Sequence, residues 1–188
     1  MSAQARKPVS IGLIELNSIA VGIETGDAML KAAYVNLLRA STICPGKYIV
    51  LVYGAVDAVR ASVQAGRECG AENVVDHLII PSVHPEVIPA IAAATEVEVV
   101  NAIGVIETFS AASSIVAADF AAKAADIQLI EIRLANGIGG KSFVVMTGEI
   151  AAVQASVAAG EAHPRGQGLL LKSVVIASPH EDLKDAIL

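Results

Sequence analysis

Residues Ile11–Asp27 read IGLIELNSIAVGIETGD, and residues Ile103–Asp119 read IGVIETFSAASSIVAAD. At a constant offset of 92, Ile11, Gly12, Ile14, Glu15, Ala20, Asp27 and Lys31 recur as Ile103, Gly104, Ile106, Glu107, Ala112, Asp119 and Lys123. Further along the offset is 94: Lys47, Gly54, Val59, Ser62, Val63 and Gly66 return as Lys141, Gly148, Val153, Ser156, Val157 and Gly160. Two residues are therefore inserted between Lys123 and Lys141. At that place the halves diverge, with Thr42-Ile43-Cys44-Pro45-Gly46-Lys47 in the first and Asn136-Gly137-Ile138-Gly139-Gly140-Lys141 in the second. A repeat of this length is too long for a solenoid unit and suits a small domain. The expected organisation is two tandem domains, residues 9–96 and 101–188.

Composition bounds the function. Of 188 residues, 54% are hydrophobic and only 3% aromatic, so cores of Ala, Val, Ile and Leu are expected. The apolar surplus contains no unbroken run of membrane length, which points to interfaces between chains instead of a membrane span. A net charge of −6, with 13 scattered Lys and Arg, disfavours nucleic-acid binding. Met1–Pro8 is polar and basic without the apolar stretch of a secretory signal, so a cytoplasmic protein is expected. Its two cysteines, Cys44 and Cys69, are then reduced thiols with no structural disulfide.

One half serves for both in secondary structure. Ile11–Leu16 is an apolar run suited to a buried strand. Ser18 is placed to cap a helix running to Ala33. Tyr34–Arg39 has strand character, Ser41–Gly46 reads as a turn and Tyr48–Tyr53 as a strand. A helix over Ala55–Glu68 closes at Gly70, a strand over Val74–Ile80 stops at Pro81, and Pro85–Ala94 reads as a short helix. Abundant Ala lets helices lie close to a sheet, giving a two-layer α/β sandwich in each half.

The Ile11-Gly12-Leu13-Ile14-Glu15 start, the Gly26-Asp27-Ala28-Met29-Leu30-Lys31-Ala32-Ala33 helix end, the glycine-bearing turn before Lys47 and the Ile80-Pro81-Ser82-Val83-His84 close resemble the domain of bacterial microcompartment shell proteins. The resemblance covers nearly the whole chain, twice, in unpermuted order, and is nearest the tandem-domain type with iron–sulfur centres in propanediol-utilisation compartments. It implies two ferredoxin-like α/β sandwich domains per chain and a non-enzymatic shell tile. Three chains would form a pseudohexameric homotrimer. Its pore would be lined by Ile43, Cys44, Pro45, Gly46, Gly137, Ile138, Gly139 and Gly140. Lys31 and Lys123 would lie at the tile edge. Ser82-Val83 and Ser178-Pro179 stand where many members carry an edge arginine before Pro-His, which implies mixed layers with other shell proteins.

On the residues alone, Cys44 is either a small buried thiol or a metal ligand, with zinc a chemical competitor for iron. The resemblance implies a 4Fe-4S cluster held by Cys44 from three chains, an open fourth iron, and electron transfer or cluster exchange across the shell, with an encapsulated redox enzyme as a further partner. Lys47 would then add positive charge beside an anionic cluster. Two rival readings are a shell tile with a plain metabolite pore and a cytosolic ferredoxin-like signalling trimer. Glu15 and Glu107 lack a catalytic partner and are expected to bond backbone. Gly137–Gly140 lacks the context of a phosphate loop. Cys69 reads as an inert thiol. His77, His84, His163 and His180 lack ligand spacing, and the equivalent pair His84 and His180 suggests capping or an interface.

Overall fold

The computed structural model describes residues 9–187; Met1–Pro8, on which the absence of a leader was read, and Leu188 lie outside the described residues. The chain forms two compact units, the first taking residues up to 42 and 46–83, the second residues 43–45 and 84–188.

In the first unit β1 (Ser10–Leu16) is buried at all seven positions, as a strand apolar on both faces must be. It lies inside a sheet of order β2-β3-β1-β4, flanked antiparallel by β3 (Lys47–Gly54) and β4 (Val74–Ile80), with β2 (Asn36–Ile43) at one edge. The helices α1 (Ile19–Ala32) and α2 (Val56–Gly70) pack on each other and on this sheet. Ser18 caps α1 as read, its Oγ accepting the Val21 N–H at 3.4 Å. β2 runs on through Ser41 and Thr42 to Ile43, past the expected turn start, because β-branched residues pair readily with a neighbouring strand. The turn shrinks to Cys44–Gly46.

In the second unit α3 (Val87–Ile91) comes first, followed by β5 (Ala102–Thr108), α4 (Ala111–Ala124), β6 (Ile127–Leu134) and β7 (Ser142–Gly148). Then come α5 (Ile150–Gly166), β8 (Leu170–Ile176) and α6 (Glu181–Ile187). The sheet order β6-β7-β5-β8 repeats that of the first unit. Ser110 repeats the cap, accepting the Ser113 N–H at 3.3 Å.

The packing boundary differs from the sequence-repeat boundary at 96. Residues 84–96 close the first repeat in the sequence but pack within the second unit. Val87, Ala90 and Ile91 are buried there. Glu86 Oε2 accepts the Leu129 N–H at 2.8 Å, and Asp119 Oδ1 accepts the His84 N–H at 2.8 Å.

The recurring small residues have a packing cause. A Cβ on Gly12 would stand 2.5 Å from Val63 Cγ2 and 2.8 Å from Val59 Cγ1 of α2. A Cβ on Gly104 would stand 2.7 Å from Val157 Cγ2 and 2.8 Å from Val153 Cγ1 of α5. Each glycine lets a valine-faced helix sit directly on the central strand. Near the end of α5, Glu161 is tied to β8. Its carboxylate accepts the Ser173 hydroxyl and the Arg165 Nη2–H at 2.6 Å. The Ser173 bond chiefly holds this carboxyl below its ordinary value, against a desolvation penalty and with help from Arg165.

Gly104→Ala should lower stability by about 1–3 kcal/mol through overpacking, whereas Gly166→Ala, whose Cβ would meet nothing within 4 Å, should stay within about 0.5 kcal/mol. Denaturant midpoints at equal slope read both. A depressed carboxyl stabilises the fold fully above its unfolded value, near 4.5, and loses that contribution as pH falls through the lower folded value. Ser173→Ala should therefore raise the Glu161 midpoint in a carboxyl NMR titration and move acid unfolding to higher pH.

Candidate functional site

The Cys44 turn and the glycine loop meet inside the second unit. Cys44 donates its N–H to the Ala135 carbonyl at 2.8 Å. Ala135 is fixed in turn by donating its own N–H to Ser142 Oγ at 3.1 Å. Gly140 lies against the same turn, where a Cβ would come within 3.3 Å of the Cys44 carbonyl oxygen and 3.4 Å of Pro45 Cδ. Its φ of 84° is costly for any side-chain-bearing residue, so glycine is needed on two counts. Gly137 and Gly139 also have positive φ, with open space where a Cβ would stand. The glycines of this loop thus serve a turn of left-handed backbone and its contact with the thiol turn.

The eight predicted loop residues differ in exposure. Ile43 ends β2 as a buried side chain, Cys44 is partly exposed, and Pro45 and Gly46 are exposed. Gly137 and Gly139 are exposed, Ile138 and Gly140 partly so. Cys44 and Cys69 are both free thiols. Among the described residues no group of three or more His, Cys, Asp or Glu is close enough to hold a metal ion. A single chain brings one partly exposed thiol to this loop pair. A soft-metal cluster fits that donor type and needs thiolates from further copies.

Below the turn, Lys47 is occupied. Its Nζ lies 2.6 Å from Glu15 Oε1, and the equivalent Lys141 lies 3.2 Å from Glu107 Oε1. Glu15 sits opposite Ile49, and Lys47 is two residues before it on the same sheet face, the diagonal reach of a long side chain. The structure corrects two expectations here. The glutamates bind lysine where backbone was expected, and Lys47 neutralises Glu15 at the strand ends. Both readings stopped at one residue, while the joint recurrence of Glu15 with Lys47 and Glu107 with Lys141 carried the signal.

Lys31 and Lys123 sit in the last turns of α1 and α4, paired one helical turn back with Asp27 at 2.5 Å and Asp119 at 2.6 Å. Asp119 simultaneously holds the His84 N–H, a role that no local motif announced. His180 Nδ1 accepts the Asp182 N–H at 3.3 Å at the start of α6, the capping read for it. His163 lies beside Phe120, ring centroids 6.1 Å apart. No helix among the described residues is long and apolar enough to cross a membrane.

The BMC domain family model matches residues 10–83 and again 102–179. The chain is 42% identical over 174 residues to the bacterial microcompartment shell protein PduT of Citrobacter freundii, covering 93% of this chain and 95% of that protein. It is 40% identical over 77 residues to the carboxysome shell protein CcmK2 of Synechococcus elongatus, covering 38% of this chain and 76% of that one. A crystal structure of a microcompartment protein from Desulfitobacterium hafniense DCB superposes with a TM-score of 0.92 at 56% identity, covering 95% of this chain and 99% of that one. The fused permuted shell protein MSM0275 shares the fold alone, at 19% identity and a TM-score of 0.61, over 81% of this chain and 83% of that one.

The two ion pairs differ in burial. Glu15 is 5% exposed and Glu107 32%. Lys47→Ala strands a buried carboxylate and should cost about 1–3 kcal/mol, whereas Lys141→Ala should cost under about 1 kcal/mol. Equal losses in chemical denaturation would show that burial does not decide the difference.

Proposed function

The chain belongs to the BMC domain family, and from that premise we propose that it is a structural, non-enzymatic tile of a bacterial microcompartment shell whose pore carries an iron–sulfur cluster. Three chains supply six domains in a pseudohexagonal ring, with the Cys44 and Gly137–Gly140 loops alternating around its axis. The observation that carries this reading is the Cys44 N–H to Ala135 carbonyl bond of 2.8 Å, which puts the thiol turn beside the glycine loop. Loops that meet in this way within a chain are what a ring lined by both requires.

In this reading the Cys44 thiolates of three chains would hold a 4Fe-4S cluster, which would supply one-electron chemistry at the pore. Cys44 ligates, Pro45 and Gly46 shape the turn, and Gly140 keeps the neighbouring backbone close. Lys47 stays with Glu15 and contributes strand-end stability. Lys31 and Lys123 stand at the tile edge, and other shell proteins adjoin it there. An encapsulated redox enzyme is the partner that such a centre serves.

Cys44→Ser should abolish bound iron and acid-labile sulfide after anaerobic purification while the oligomer persists in sedimentation. Cys69→Ser should retain both. Iron and sulfide kept at the parental ratio in the Cys44 variant would overturn the cluster site. A colourless, iron-free parent after anaerobic reconstitution would favour the plain metabolite pore.

A further inference from the structure

The two units fill one equivalent packing position in opposite ways. In the first, Tyr48 of β3 is paired with Leu16 of β1, and its side chain packs on the core. Gly22 of α1 makes room for it, since a Cβ there would lie 2.6 Å from the Tyr48 Cβ. In the second unit the equivalents are Ser142 of β7, paired with Thr108, and Ser114 of α4. An aromatic ring and a glycine stand against two serines, both fully buried.

Burying an aromatic side chain stabilises more than burying two serines, and a buried hydroxyl costs stability unless it is hydrogen-bonded. The Ser114 hydroxyl has no partner among the described residues. Ser142 does have one, its Oγ accepting the Ala135 N–H at 3.1 Å. Ala135 is buried and held at a φ of 45°, a left-handed conformation that a side-chain-bearing residue keeps only where its surroundings impose it. Both of its backbone polar groups are tied, the N–H to Ser142 and the carbonyl to the Cys44 N–H at 2.8 Å. The bond to Ala135 is therefore what Ser142 contributes in place of a ring.

We propose that Ser142 is a positioning residue for the Cys44 thiol. Acting through Ala135, its hydroxyl keeps the Cys44 N–H on the Ala135 carbonyl and away from sulfur. Amide hydrogens directed at the sulfurs of an iron–sulfur centre stabilise its more negative, reduced state and raise its potential. A turn whose amide is engaged elsewhere withholds that stabilisation, so the same clamp that fixes the thiol also keeps the potential low. The redox consequence rests on the iron–sulfur reading; the placing of the thiol does not.

The test uses full-length Ser142→Ala, Ser142→Thr and Ser114→Ala, each with Cys69→Ser so that Cys44 is the one thiol left of two. In iron-free protein at fixed pH, iodoacetamide should alkylate Cys44 several-fold faster in Ser142→Ala than in the parent. Ser142→Thr, which keeps the hydroxyl, and Ser114→Ala, which removes an unbonded one, should react at the parental rate. In anaerobically loaded protein, Ser142→Ala should shift the reduction midpoint upward and the other two should not. A parental rate in Ser142→Ala, or an acceleration that Ser114→Ala matches, overturns the proposal. So does a Ser142→Thr protein of parental circular dichroism that reacts as fast as Ser142→Ala. Faster alkylation at an unshifted midpoint supports the placing of the thiol and overturns the redox consequence. A parent that binds no iron removes the iron–sulfur reading, and the alkylation rates still decide the role of Ser142.

Discussion

Everything in this fold hangs on how closely a helix can approach the central strand. Gly12 and Gly104 remove the side chain from the one strand position over which Val63 and Val157 lie. Bringing helix and strand together there lets short aliphatic side chains fill the space between layers at native density, without the bulk of aromatic residues. A core built of Ala, Val, Ile and Leu is then self-consistent. The repeated Ser62 follows the same constraint, its hydroxyl donating to the Met29 carbonyl at 2.9 Å where α1 and α2 meet.

Conserving the core left the loops free to part. The three-residue turn at Cys44 and the longer glycine loop lie at the same place in two copies of one sheet, and neither disturbs the strands that carry it. The Lys47–Glu15 and Lys141–Glu107 pairs stand beneath them in both units. Chemistry can thus be exchanged at the loop tip while the charge balance below it stays constant. That separation is the physical basis for reading Cys44 as a functional addition to a structural tile.

Much of the fold was legible because internal repetition supplied a second sample of the same physics. Gly12 paired with Gly104 and Ser18 with its equivalent marked strand and cap without further information. The extent of β2 was less legible, since Ser41 and Thr42 suit a turn or a strand equally and only pairing with β3 decides. The Glu–Lys pairs were missed because each partner has an innocuous reading alone. Residues 84–96 close the first repeat of the sequence yet pack within the second unit, because repetition reports descent, whereas burial reports which surface a segment covers. As for the site, sequence singled out both loops and the thiol, but the bond joining Cys44 to Ala135 connects residues 91 apart and leaves no local trace.

Covalent linkage of the two repeats has a compositional consequence. Separate single-domain chains with cysteine and glycine loops would mix at random in a ring, yielding a population of isomers weighted by expression levels. One chain carrying both loops fixes their ratio at one to one, whatever the rate of synthesis. Fusion thereby turns a statistical property of an assembly into a stoichiometric one, so a centre that needs a set number of thiols does not depend on chance partnering.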